Sequence, residues 1–165
     1  MDRGHIRELA ARGHTVGSHS CSHPLRMGHC SRQQLIDEWT RSRAVLESIV
    51  GHSIRVGSVP GGDFAPSVAE TAADAGFTLL FTSEPTRTPQ RIGPVTLVGR
   101  YTIHATTPAA TVAGLVRGAW LPHAQQAVWW TARKVTKRIA GSGYLKLRKL
   151  LLRHGDHVQW GDMRL

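Results

Sequence analysis

His19 and His23 stand four residues apart in the stretch Gly13-His-Thr-Val-Gly-Ser-His-Ser-Cys-Ser-His-Pro24. Two imidazoles on one turn of chain can converge on a divalent metal, and nitrogen ligands make zinc the first choice. In a chain with ten histidines the spacing by itself is weakly specific. Its setting says more. His14–Ser18 has the pattern of a short strand, so the pair follows a strand's C-terminal end, where parallel α/β folds build their sites. Cys21 lies between the histidines at a spacing that directs it away from both. Cys21 and Cys30, nine positions apart, can form a disulfide, but without a secretion signal two thiols are more often reduced.

The elements that must carry this loop are well marked. Asp2–Arg12 has helical spacing, with Ile6, Leu9 and Ala10 on one face and Gly13 as its stop. His19–Cys30 is rich in Ser, His, Pro and Gly, so it is a loop. Ser31 with Gln34 makes a capping box; Leu35, Trp39, Leu46 and Val50 then share a helical face, and Gly51 ends the helix. Ile54–Val59 is a strand running into Pro60-Gly61-Gly62. Pro66 opens a helix through Ala75, with Gly76 after it. Phe77–Thr82 and Val95–Ile103 are strands, and Thr107-Pro108 begins a helix to Arg117. This alternation predicts an α/β domain with a mostly parallel sheet over residues 1–118.

After Trp120 the composition changes. Ala124–Ala140 reads as a helix with Val128, Ala132, Val135 and Ile139 inward and Arg133, Lys134, Lys137 and Arg138 outward. Gly141-Ser-Gly143 breaks it, and Tyr144–His154 is a second basic helix. Residues 119–165 therefore form a basic helical C-terminal appendage.

A chain of 165 residues suits one globular domain better than two, and 41% hydrophobic with 19% charged residues fits a folded protein. The net charge of +10 is uneven: twelve Lys or Arg and no acid lie between Glu84 and Asp156. Such a field favours an anionic partner, whether a charged polysaccharide, a lipid headgroup surface or nucleic acid; otherwise it is a solvated basic face. No specific nucleic acid is expected. Trp129-Trp130 beside basic residues suits a membrane interface, a sugar ring or the packing of one indole in a core. No apolar run reaches the roughly 20 residues of a membrane span, and the N-terminus has no apolar core of a signal peptide, so the compartment stays open.

The stretch from Leu9 to Pro24 resembles the second motif of NodB-type polysaccharide deacetylases, carbohydrate esterase family 4: His-(Ser/Thr)-x-x-His after a helix, a glycine and a strand ending Gly-Ser. The likeness runs on through Leu35, Glu38, Arg43, Leu46 and Gly51. It reaches Ser58-Val-Pro-Gly-Gly62, which matches the Pro and second Gly of the third motif, Arg-x-Pro-(Tyr/Phe)-Gly, and then Ala75–Thr82. Coverage is good over residues 6–84 and thin afterwards. The resemblance implies part of an irregular (β/α) barrel and a hydrolase that cleaves the amide of an N-acetylated amino-sugar polysaccharide, an exopolysaccharide among the options. His19 and His23 would be metal ligands, Pro60, Gly61 and Gly62 would border the substrate, and His104, in Tyr-Thr-Ile-His at a strand end, would protonate the leaving amine.

The chain departs from the family in three places. The first motif, Thr-Phe-Asp-Asp-Gly, supplies the family's metal-binding and basic aspartates and is missing: the 18 residues before His19 hold only Asp2 and Glu8 as acids. Ser58 stands where the third motif has the Arg that orients the catalytic acid, and Gly61 where it has an aromatic. The fourth motif's Asp and Trp are not found around Thr82–Pro85. Asp63 offers itself as a substitute acid or as a turn former. The expectation is a truncated deacetylase that lacks full catalysis alone. Its alternatives are a non-catalytic remnant, or a basic binding module for an anionic polymer or membrane surface.

Overall fold

Asp2 begins the first helix, α1 (Arg3–Ala11): its carboxylate accepts the His5 N–H at 3.0 Å, and the His5 ring accepts the Asp2 N–H at 3.3 Å. The computed structural model describes residues 2–132 and Val135. After α1 the chain has no regular structure through residues 14–17 and makes one parallel bridge, Ser18 to Gly57. The Ser18 N–H donates to Val56 O at 2.9 Å and the Ser58 N–H to Ser18 O at 2.8 Å. The strand expected over His14–Ser18 thus shrinks to its last residue, because only that residue meets a neighbour.

The long helix α2 (Arg32–Val50) starts and stops where its signals stand. Ser31 Oγ accepts the Gln34 N–H, Gln34 Oε1 accepts the Ser31 N–H, and Gly51 closes the helix in the left-handed region at φ 78°. Leu35, Trp39, Ser42 and Ile49 form its buried face, with Leu46 and Val50 packed at the edge of the core. Trp39 is fully buried, its Nε1–H donates to Val68 O at 3.1 Å, and its ring centroid lies 5.1 Å from that of Phe77.

Behind α2 lie β1 (Val56–Ser58), α3 (Pro66–Asp74), β2 (Leu79–Phe81), β3 (Gln90–Ile92) and β4 (Val95–Val98), which make a four-stranded sheet in the order β1-β2-β4-β3. The first three of these neighbours are parallel, and β3 pairs antiparallel with β4 in the register Ile92 to Val95. A mixed α/β fold with a mostly parallel sheet is what the alternation of elements requires. β3 went unread because Gln90 and Arg91 are polar and exposed, although Gly93-Pro94 marks its turn. The strand expected over Val95–Ile103 ends at Val98; beyond it the Arg100 N–H donates to Glu84 O at 3.0 Å, out of register with the sheet.

Arg43 and Glu47 tie the far end of α2 to the end of α3 and to the chain leading into β1. The Arg43 guanidinium donates to Ala75 O at the end of α3, and Glu47 Oε1 accepts both Arg43 Nε at 2.7 Å and the Ile54 N–H at 2.9 Å. Helix α4 (Ala109–Arg117) ends at Gly118, and residues 120–132 are helical, so this helix begins ahead of the expected Ala124. Within the first unit the Gln126 amide exchanges two 2.9 Å hydrogen bonds with the backbone of Thr102. The chain divides into two compact units, Met1–Gln126 and Ala127–Leu165. The remainder of the expected basic helix after 135, the 141–143 break and the helix 144–154 lie outside the described residues. Among the described residues no helix is long and apolar enough to cross a membrane.

Trp39 sits where α2, α3 and Phe77 meet, and an alanine there leaves a cavity and removes one of the hydrogen bonds to the Val68 carbonyl, which keeps that from the Thr71 hydroxyl. Trp39→Ala should lower the unfolding free energy by about 3–5 kcal/mol, read from urea unfolding followed by circular dichroism.

Candidate metal centre

Because Ser18 is parallel to β1, the loop that begins at His19 leaves the sheet at the same end as Ser58. His19 and His23 are both exposed, with ring centroids 5.0 Å apart and planes inclined at 64°. Among the described residues, the non-glycine positions with positive φ are Ser20 at 65° and His23 at 56°, both in this loop. Such backbone costs of order 1–3 kcal/mol per residue and persists only where its surroundings hold it. Here they do. The His23 N–H donates to Ser20 Oγ at 3.0 Å, the Ser20 N–H to Ser18 Oγ at 3.2 Å, and Ser18 Oγ meets Ser42 Oγ of α2 at 2.6 Å in a buried contact.

The pair fits part of a metal site. Two imidazoles bound to one tetrahedral zinc, each at about 2.0–2.1 Å, put their ring centroids about 5 Å apart. His19 Nδ1 faces Ser58, 3.0 Å from its carbonyl oxygen and 2.6 Å from its hydroxyl, so Nε2 is the nitrogen turned away from the strand. Among the described residues no third His, Cys, Asp or Glu gathers with others into a larger ligand group.

The other candidate residues lie as follows. Pro60–Gly62 form a single 3-10 turn after β1; Pro60 is buried, and Gly61 has φ 59°. That left-handed backbone is strained for any aromatic, so the family's Tyr or Phe would not sit comfortably in this turn. Asp63 accepts from His29 Nδ1 at 3.2 Å, and Arg26 donates to His29 Nε2 at 2.7 Å. Asp63 is thus held by His29, a partner 34 residues away that no local pattern announces. His104 does not stand at a strand end, since β4 stops at Val98; it lies in an exposed turn whose N–H donates to Thr107 Oγ1 at 2.9 Å. Cys21 and Cys30 are free thiols, and burial first, with Glu38 and Asp63 adding to it, pushes the Cys30 thiol up. A small cavity lined by Phe64, Thr82, Glu84, Thr88 and Leu97 includes neither histidine, and nothing in its chemistry makes it a better site.

Reading the sequence missed how much the loop owes to Glu38. Its Oε2 accepts the N–H groups of Cys21 at 2.7 Å and Ser22 at 2.8 Å, and its Oε1 accepts the Ser22 hydroxyl at 2.5 Å. Burial by itself pushes the Glu38 carboxyl up, but the bonds from Ser22, Cys21 and Ser20 outweigh it and hold the group below its ordinary value. A carboxyl depressed in the folded state binds its proton more readily when unfolded. Its contribution is therefore complete above about pH 4.3 and is lost as pH falls through the lower folded value. Glu38→Gln should cost about 1 kcal/mol at pH 7, a modest figure because the group is partly exposed. The gap between variant and parent should narrow as pH is lowered below about 4.3, as urea midpoints followed down that range will show.

The profile of the family described as polysaccharide deacetylase matches residues 2–80. Among solved structures, the chain is similar in fold to a de-N-acetylase from Aggregatibacter actinomycetemcomitans, with 19% identity over 69% of this chain and 52% of that one, at a TM-score of 0.57. It is likewise similar to IcaB from Ammonifex degensii, with 23% identity over 63% of this chain and 48% of that one, at a TM-score of 0.55. The deacetylase PplD from Streptococcus pyogenes matches with 18% identity over 51% of this chain and 37% of that one, at a TM-score of 0.48. The chain thus spans about half or less of each of these proteins. No curated protein matches. Residues 2–80 thus match the polysaccharide deacetylase family, and the chain shares part of its fold with the Aggregatibacter de-N-acetylase and with IcaB.

Proposed function

We propose that this chain supplies the histidine part of a metal-dependent deacetylase acting on an N-acetylated amino-sugar polymer. The observation that carries this reading is the pair of exposed imidazoles 5.0 Å apart on a loop held in strained backbone. His19 and His23 would hold a divalent cation, with zinc first. Such a cation supplies water activation and polarisation of the acetamide carbonyl. In this reading the sheet is part of an irregular (β/α) barrel whose C-terminal edge carries the site. The Pro60–Gly62 turn leaves β1 at that edge and offers backbone, without an aromatic side chain, to a sugar. His104, exposed in its turn, is the candidate for protonating the leaving amine, although its own hydrogen bonds run to Thr107.

No described carboxylate joins the two histidines, so the carboxylate ligand and the base must come from outside the described residues. With them the reaction is amide hydrolysis; without them the protein is a two-histidine metal binder that turns nothing over. The basic stretch after Glu84 supports a second role, capture of an anionic polymer or membrane surface. Within the second unit, Val128 and Trp129 are exposed at 69% and 72%.

The purified chain should bind one zinc ion in chelator competition, and His19→Ala and His23→Ala should each weaken that binding at least tenfold. On chito-oligosaccharides it should release no acetate by itself. Acetate release by the chain alone would overturn the incomplete-site reading, and absence of zinc affinity would overturn the metal reading.

A further inference from the structure

Ser58 ends β1 at the position where the family pattern has an arginine, and in this chain its atoms go to a histidine. His19 Nδ1 lies 3.0 Å from the Ser58 carbonyl oxygen and 2.6 Å from the Ser58 hydroxyl. A carbonyl oxygen has no proton to give, so a hydrogen bond with it requires the proton on Nδ1. With that proton in place, the hydroxyl oxygen is a second acceptor for the same N–H. With Nδ1 bare, two sets of lone pairs would face each other at 3.0 Å. A neutral imidazole carries one N–H, so the lone pair then sits on Nε2.

Both acceptors belong to a residue that is itself fixed. The Ser58 N–H donates to Ser18 O at 2.8 Å, and Ser18 is the residue before His19. The strand pairing and the ring contact therefore close a short circuit that leaves the His19 ring little freedom to turn. We infer that Ser58 is a positioning residue: it locks His19 in the Nδ1–H tautomer and presents Nε2 to a divalent cation shared with His23. This rests on the metal reading above. The position that in the family orients the catalytic acid is here given to a metal ligand.

The test uses the full chain with 15N-labelled histidine. Long-range proton–nitrogen spectra without metal should show His19, identified by loss of its signals in His19→Ala, protonated on Nδ1 and bare on Nε2. Ser58→Ala removes the hydroxyl and keeps the carbonyl, so the proton should stay on Nδ1 while the ring is held less firmly and zinc binding weakens about tenfold, at the lower end of what such supporting partners contribute. Ser58→Thr, which keeps the hydroxyl, should restore the affinity. A proton found on Nε2 in the parent, or Ser58→Ala leaving the affinity unchanged, overturns the assignment. A parent that shows the expected tautomer but binds no zinc overturns the metal reading and leaves the hold of Ser58 on the ring standing.

Discussion

One carboxylate holds the shape of the histidine loop. Glu38 projects from the middle of α2 and accepts two consecutive backbone N–H groups, those of Cys21 and Ser22, on a single oxygen. A loop with left-handed backbone at Ser20 and His23 has no helix or sheet ladder to satisfy its amides, so they must find another acceptor. An ionised carboxylate is the strongest one available. The next residue along the helix, Trp39, is wholly buried in the core. Adjacent positions of α2 therefore anchor the loop on one side and the domain interior on the other, and the rigidity of the second is passed to the first.

The sheet supplies the second constraint. Parallel strands bring all their C-terminal ends to one edge, so Ser18, Ser58, Phe81 and Val98 release their loops on the same side. At that edge the chain differs from the motif it resembles. Where that motif has an arginine, Ser58 offers a short hydroxyl that reaches the His19 ring, and where it has an aromatic, Gly61 allows a left-handed turn that an aromatic would resist. The two changes agree with one another: both substitute backbone and small side chains for large ones beside the histidine pair.

The helices were legible residue by residue because their signals are local. Ser31 with Gln34, Gly51 and Pro66 each act on groups within one turn of chain, so these caps and stops were read nearly where they stand. Strand ends were less legible, because a strand extends only as far as its neighbour does. The run Val95–Ile103 is apolar enough to continue, yet it ends at Val98, where the chain turns to bond Glu84. That is why His104 was placed at a strand end it does not occupy. β3 was missed for the opposite reason: its polar residues pair through backbone groups that every sequence possesses.

From sequence alone the histidine pair, its strand-end setting, the helix boundaries and the likeness to a deacetylase could all be read, since each depends on residue type and short spacing. The tertiary structure decided which distant groups meet. Glu38 lies 16 positions from Ser22, His29 lies 34 from Asp63, and His19 lies 39 from Ser58. No periodicity encodes such pairs. They follow from the register of Ser18 against β1 and from α2 lying over the sheet through Trp39, and that arrangement exists only once the core has packed.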